Sequence, residues 1–516
     1  MSHSQQNPSH RSRTDILIAV LVGSAALALY IRTLAPSLLW GDSAEFQTLS
    51  YTLGMTHPSG YMTQIMFGKL FTYLPVGNIA YRVNLMSAFF GALAVAETYL
   101  IVRLLGGWRI AAVSASLLLA LTEGFWWRAL LAESYAPAAG MLATVWLLVL
   151  LWRNTGKWLF LFLAGVSGGL SLGIHSTVVM TALSVFVLMI LTTRRREDWF
   201  AAAAGALLGA LITFGFFFYI DHNNPPSSIY NTVYLTNMSA FGLSEDQFDT
   251  PLKRFFAIFP ANHFWSYYFT ASPDEIGRRL LEYLSSFPLW GILLLIPGAL
   301  TLLRERLAEG LYPLVAFLVI WGFAVTVSFS VYREFYVPVT VITSVWFGVG
   351  ASKLLSLLKR LQTQNLTASR ILQSVFMILL VALPVWNARR DLIPAIDNGY
   401  PLFVRRDHIY PVFAPDKAIN DANKILARVE EDAIVFAPWD KLYSYVYAAH
   451  IEDGRTSIAF HEAWSTEEVR LADSAIAYIE QNLDIRPIYF TIHMLELTDR
   501  YQVEKIYDTL YRIHRK

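Results

Sequence analysis

For its first 387 residues the chain alternates long apolar runs with short polar connections, and then it changes character. Apolar runs lie at 15–34, 84–102, 109–122, 135–152, 158–174, 177–193, 199–220, 286–303, 311–330, 335–352 and 371–387. A membrane-crossing helix needs roughly 20 apolar residues, and a shorter run can span where neighbouring protein covers its ends. The pattern predicts about eleven transmembrane helices, the first of them a signal anchor too long to be a removable leader. Two connections are far longer than turns. Residues 35–80 hold two amphipathic stretches, 43–53 and 61–74, divided by the turn His57-Pro58-Ser59-Gly60. Residues 221–285 are rich in aromatic and polar side chains and open with Asn223-Asn224-Pro225-Pro226. Beyond 388, helix-like runs (416–430, 466–483) alternate with strand-like ones (433–437, 456–460, 487–492), an α/β pattern. The expected organisation is a cytoplasmic tail (1–14), a polytopic α-helical membrane domain (15–387) and a soluble α/β domain (388–516).

Charge sharpens this division. Of the 79 Asp, Glu, Lys and Arg residues, 37 lie in 388–516, about 29% of that segment against about 11% of the rest. An average soluble domain carries about a quarter. A disordered chain, a coiled coil and a single soluble globule are excluded. The net charge of +1 offers no basic face for nucleic acid. With no cysteine there is no disulfide, thiolate nucleophile or Cys-ligated metal centre. Lys and Arg collect in alternate short connections (Arg11 and Arg13, Arg103 and Arg109, Arg194–Arg196, Arg304 and Arg306), while the intervening ones hold isolated Lys69, Arg128 and Arg333. The positive-inside bias then places the N-terminus in the cytoplasm and, after eleven spans, residues 388–516 outside.

Drawn on that topology, Asp42, Glu45, Glu133, His175, Arg333 and Glu334 all fall at the outer membrane face. Charges are costly within a bilayer, and this gathering suggests a site at the interface, although outer loops carry polar residues in any case. Asp42 and Glu45 have the Asp-x-x-Glu spacing of a capping box. A carboxylate at a helix start is also held ionised, as a general base requires. Among the others, His57-Pro58 reads first as a turn, and Arg82 as a side chain snorkelling beside Asn84 at the start of the second span. Phe125-Trp126-Trp127, before Glu133-Ser134-Tyr135, reads as an interfacial aromatic belt and less readily as a sugar-stacking surface. Glu97 is expected to snorkel to the inner face. Arg333-Glu334 could be a local ion pair or a clamp for a lipid phosphate. No metal-ligand spacing or phosphate-binding glycine loop appears.

Three segments resemble one polytopic family: Trp40-Gly41-Asp42-Ser43-Ala44-Glu45-Phe46, then Leu53-Gly54-Met55-Thr56-His57-Pro58-Ser59-Gly60-Tyr61, then Gly77-Asn78-Ile79-Ala80-Tyr81-Arg82-Val83-Asn84. Ala132-Glu133-Ser134-Tyr135 and Arg333-Glu334-Phe335-Tyr336-Val337-Pro338 resemble further stretches of it. The family was long labelled a domain of unknown function, and its vertebrate member is a plexin-type protein O-mannosyltransferase. The chain departs from it at Ser59, where relatives often carry a second proline, and over Gly173–Thr177, which keeps only part of an Asn-His-Leu-Thr-like stretch. The resemblance implies a GT-C-type glycosyltransferase that inverts the anomeric carbon. The sugar, mannose by family, would pass from a polyprenyl-phosphate carrier to a hydroxyl acceptor such as Ser or Thr of an exported protein, or a glycan. Asp42 would be the catalytic base, aided by Glu45, and His57, Tyr61, Arg82, Asn84, Glu133, Tyr135, His175, Arg333 and Glu334 would bind substrate. No cofactor or metal is required where an Arg neutralises the phosphate, and a role for a divalent metal stays open. The competing classes are a transporter or flippase of lipid-linked sugars and a non-catalytic membrane scaffold. Transporters place polar groups at the midplane, whereas here the spans are almost free of charge.

Overall fold

The computed structural model describes residues 8–260, 262–285, 287–328, 332–361, 366–399, 416–464 and 469–516. The start of the tail, the stretch 400–415 and the start of the helix expected at 466 lie outside them. Among the described residues, seven helices are long and apolar enough to cross a membrane, running from Arg13–Thr33 to Thr367–Asn387. An eighth span arises if Pro273–Ser285 and Leu289–Glu305, bent by 103°, are counted together. Arg109–Leu121, Trp158–Ser171 and Ser176–Thr192 are apolar but shorter. The eleven apolar runs of the sequence map onto these helices. The count by length is lower because four of them, the three shorter helices and the 17-residue Leu289–Glu305, fall short of a full span on their own.

The helices pack most closely where glycine removes the side chain. Helices Trp158–Ser171 and Arg196–Asn223 face each other through Gly165, Gly169, Gly205 and Gly209. A Cβ on Gly205 would stand 2.0 Å from the Phe162 carbonyl oxygen, and one on Gly169 2.4 Å from that of Ala206. In lipid there is little hydrophobic drive between helices, so such backbone approach supplies the contact energy.

The aromatic run 125–127 has a different place from the one expected. Phe125, Trp126 and Trp127 are buried in the helical core, and Trp126 Nε1 donates to Thr33 Oγ1 at 3.0 Å. Helix Glu123–Arg128 turns this face inward, so the run forms neither a belt nor a stacking surface. Glu97 likewise does not snorkel: it is buried and accepts from Thr144 Oγ1 at 2.9 Å.

The loop at 35–80 folds into helices Gly41–Thr52 and Met62–Thr72. The first is not an amphipathic helix lying on a surface, since every residue from Ser43 to Ser50 is buried. What covers it is the C-terminal part of the chain. There, strands β1 (Ile434–Ala437), β2 (Ala459–Glu462), β3 (Ile488–Phe490), β4 (Gln502–Tyr507) and β5 (Leu510–His514) form one sheet in the order β2-β1-β3-β5-β4. β1 is parallel to β2 and β3, and the β4–β5 hairpin closes the edge antiparallel. Alternate residues of the strands serve two cores. Val435, Ala437 and Tyr489 pack into a core shared with Ala44, Leu49 and Met55 of the loop, while Ile434, Phe436 and Phe490 pack under helix Asp473–Asn482. The sheet is thereby fused to the loop.

Candidate active site

Asp42 is exposed at the start of a helix whose residues 43–50 are all buried. It lies in the first turn of Gly41–Thr52, whose N-cap position is Trp40 and which has no side-chain cap. The expected capping box is therefore absent. Asp42 lies two positions past the N-cap, too far into the helix to cap it, and Glu45 turns inward to another partner. The Asp42 carboxylate still sits where the helix dipole favours a negative charge, and its Oδ1 accepts from Trp439 Nε1 at 3.0 Å.

Glu45 is fully buried and holds the His57 turn with both oxygens. Oε1 accepts from the His57 backbone N–H at 2.7 Å, and Oε2 lies 2.5 Å from His57 Nδ1. Burial pushes the Glu45 carboxyl up from its ordinary range, with the histidine opposing it. Burial would depress His57, but the Glu45 carboxylate outweighs it and raises the imidazole to about 9. The turn expected at His57-Pro58 is present, closed by Gly60 N–H donating to His57 O at 2.8 Å. That turn also pairs the buried Glu45 carboxyl with the half-buried His57 imidazole.

On the opposite side, Glu133 is buried. Its Oε1 accepts from Ser43 Oγ at 3.3 Å and its Oε2 from Arg128 at 2.8 Å. The other guanidinium nitrogen of Arg128 bonds Glu334. One buried arginine thus clamps carboxylates from two distant parts of the chain, and Glu334 is not paired with its neighbour Arg333. Arg333 instead reaches Glu282 at 3.4 Å, with its side chain 45% exposed. Burial raises Glu133 to about 7, against the pull of Arg128. Arg128 was readable only as an isolated basic residue; its five-residue spacing from Glu133 carries no recognisable motif. Between the two groups lies a ring cluster: His175 is 5.2 Å from Tyr135, 5.4 Å from Phe335 and 6.3 Å from Tyr61. His175 also caps the helix beginning at Ser176 by accepting from Thr177 N–H, and burial lowers its pKa to about 4.

Two sequence candidates serve the scaffold. Arg82 does not snorkel; it donates to the carbonyls of Thr72, Val76 and Gly77, closing the end of helix Met62–Thr72. Asn84 donates to Ala35 O and accepts from Gln47 Nε2, both at 2.8 Å, which ties the loop entrance to the second long helix. Gln47, which no sequence motif marks, is a brace: its Oε1 also accepts from Leu39 N–H at 3.0 Å. Among the described residues no cluster of three or more His, Asp or Glu could hold a metal ion.

The comparisons with known proteins converge on this region. Residues 42–199 match the family model described as the protein O-mannosyl-transferase TMEM260 N-terminal domain. Over 119 residues, 23% of the chain, the sequence is 33% identical to protein O-mannosyl-transferase TMEM260 of Mus musculus. Over 95 residues, 18% of the chain, it is 28% identical to the Dictyostelium discoideum protein of that name. The matched stretches span only 17% and 12% of those relatives. In fold, the chain superposes on ArnT from Cupriavidus metallidurans bound to undecaprenyl phosphate with a TM-score of 0.58, covering 96% of this chain and 97% of ArnT at 14% identity. The apo form of ArnT gives 0.57 at 12% identity, with the same coverage. The chain therefore has the polytopic GT-C fold with a C-terminal sheet domain, and its residues 42–199, which hold most of the site, are similar to the N-terminal domain of the TMEM260 protein O-mannosyl-transferases.

Proposed function

We propose that the protein is an inverting membrane glycosyltransferase that moves a sugar, mannose by family, from a polyprenyl-phosphate carrier to the hydroxyl of an exported protein or glycan. The observation that carries this reading is Asp42: an exposed carboxylate at the start of a helix whose residues 43–50 are buried, at the end of the bundle where Glu45, His57, Glu133, Arg128 and Glu334 also gather. The likeness of residues 42–199 to named O-mannosyl-transferases and the fold shared with a lipid-phosphate-binding protein support it.

In the proposed reaction Asp42 takes the proton of the acceptor hydroxyl as its oxygen attacks the anomeric carbon. The bond from that carbon to the phosphate oxygen breaks, and its electron pair leaves with the polyprenyl phosphate. A positioned base contributes about 10²–10⁴-fold. Arg333, partly exposed beside the Arg128–Glu334 clamp, supplies positive charge to the leaving phosphate. The pairs Glu45–His57 and Glu133–Arg128 hold the two walls of the site. The site faces the non-cytoplasmic side, and residues 388–516 shape the acceptor's approach.

Asp42→Asn is the direct test, because Asp42 caps nothing and asparagine can still accept from Trp439. With polyprenyl-phosphate mannose and a serine-containing peptide in nanodiscs, transfer is expected to fall by at least about 10²-fold while the melting temperature holds. Turnover within about threefold of the parent would place the base elsewhere, with Glu133 the next candidate.

A further inference from the structure

Trp439 is the first residue of helix Trp439–Val446, which follows β1 in the C-terminal domain. It is 397 positions from Asp42 in sequence, yet its indole N–H donates to Asp42 Oδ1 at 3.0 Å. The ring packs nearly perpendicular to two others, His57 at 5.8 Å and Tyr443 at 5.6 Å between centroids. Indole is a donor only, so it accepts no proton itself and can only orient a carboxylate or stabilise its charge. The helix that bears it is anchored independently of this bond. Thr48 Oγ1 donates to Tyr443 O at 3.3 Å, Tyr443 Oη meets Thr232 Oγ1 at 3.1 Å, and Ala80 N–H donates to Tyr447 Oη at 3.0 Å.

We propose that Trp439 is a positioning residue for the transfer reaction: its indole N–H holds Asp42 Oδ1 and leaves the other oxygen to take the acceptor's proton. The C-terminal domain therefore completes the site, and a chain with that domain undocked has an unaligned base. This rests on the reading of Asp42 as the base, and it adds a residue outside the stretch that resembles the O-mannosyl-transferase domain. Removing a group that acts on the base in the transition state lowers kcat without weakening donor binding. Docking survives the loss of one N–H, because the shared core between loop and sheet remains.

The test uses the full chain in nanodiscs with polyprenyl-phosphate mannose and a serine-containing peptide. Trp439→Phe, which keeps a ring and loses the donor, is expected to lower kcat about tenfold with donor KM within about twofold and an unchanged melting temperature. Trp439→Ala should match it, and neither should lower the rate further in an Asp42→Asn background. A parental kcat in Trp439→Phe overturns the proposal, as does a defect confined to Trp439→Ala, which would make the ring a stacking surface. If Asp42→Asn is fully active, the base assignment itself has failed. If Asp42→Asn is inactive and Trp439→Phe is not, only this inference has. A readout free of turnover uses 5-fluorotryptophan: the ¹⁹F resonance that Trp439→Phe removes should move when Asp42 becomes Asn, and an unmoved resonance rejects the contact.

Discussion

At the residue scale, the site is governed by which charges are buried together. Glu45 and His57 form a pair in which the carboxylate more than offsets the histidine's desolvation. The imidazole's folded pKa of about 9 exceeds its ordinary 6.5, so the folded state holds this proton more tightly than the unfolded one. The stabilisation is complete below pH 6.5 and is lost as pH rises through about 9. The raised carboxyl of Glu45 acts in the same direction. Melting temperature is therefore expected to decline from pH 6.5 to 9 in buffered detergent, and Glu45→Gln should flatten that slope. An equally steep decline in Glu45→Gln would put the titrating pair elsewhere. Arg128 shows why one reading of the sequence missed its target. Arg333-Glu334 are neighbours and suggest a local pair, but Glu334 is turned towards Arg128 and Arg333 towards Glu282. Adjacent residues on a helical turn point apart, so chain proximity is a poor guide to pairing.

At the element scale, the contrast lies between helices held by side chains and helices held by their absence. The Gly165–Gly169 and Gly205–Gly209 spacings put small residues one turn apart on facing helices, and the backbones meet there. Gly205→Leu would drive a side chain into the Phe162 carbonyl, which cannot swing away as a flexible side chain could. That variant is expected to lose several degrees of melting temperature, on the order of 2 kcal/mol or more. Gly168→Ala, where a Cβ meets nothing within 4 Å, should leave it unchanged. Equal stability of the two variants in a detergent melt would show that this helix pair does not pack by backbone contact. The loop helix Gly41–Thr52 behaves in the opposite way. Its polar residues Gln47, Thr48 and Glu45 are buried because partners from elsewhere in the chain satisfy them. An alternation that reads as a helix lying on a surface is here a helix enclosed on all sides but one.

At the scale of the whole molecule, the Lys and Arg asymmetry gives an expected orientation, with the N-terminus cytoplasmic. In this cysteine-free chain it can be read by single substitutions at exposed positions. Val76→Cys and Thr456→Cys are expected to react with a membrane-impermeant thiol reagent in intact cells, and Thr155→Cys only after permeabilisation. The reverse pattern would invert the topology and move the site to the cytoplasm. The positions suit the test because Val76 follows helix Met62–Thr72 at the site end, while Thr155 ends the helix that starts beside Glu133.

The sequence by itself determined the polytopic helical class and the sheet-bearing C-terminal segment, and it singled out the first loop as the candidate site. Those properties are local or cumulative: apolar run length, charge density, strand alternation and short motifs survive without knowledge of the fold. It could not separate Arg82 and Asn84, which close helix and loop backbone, from Glu45 and Glu133, which wall the site. Each is a polar residue near an interface, and only its partner tells them apart. The tertiary structure alone decided that Arg128 joins Glu133 to Glu334, 206 positions from the arginine, and that Trp439 reaches Asp42 across 397. Such pairings leave no periodicity in the chain, because they arise when separate elements are pressed against one core and their buried polar groups must find partners there.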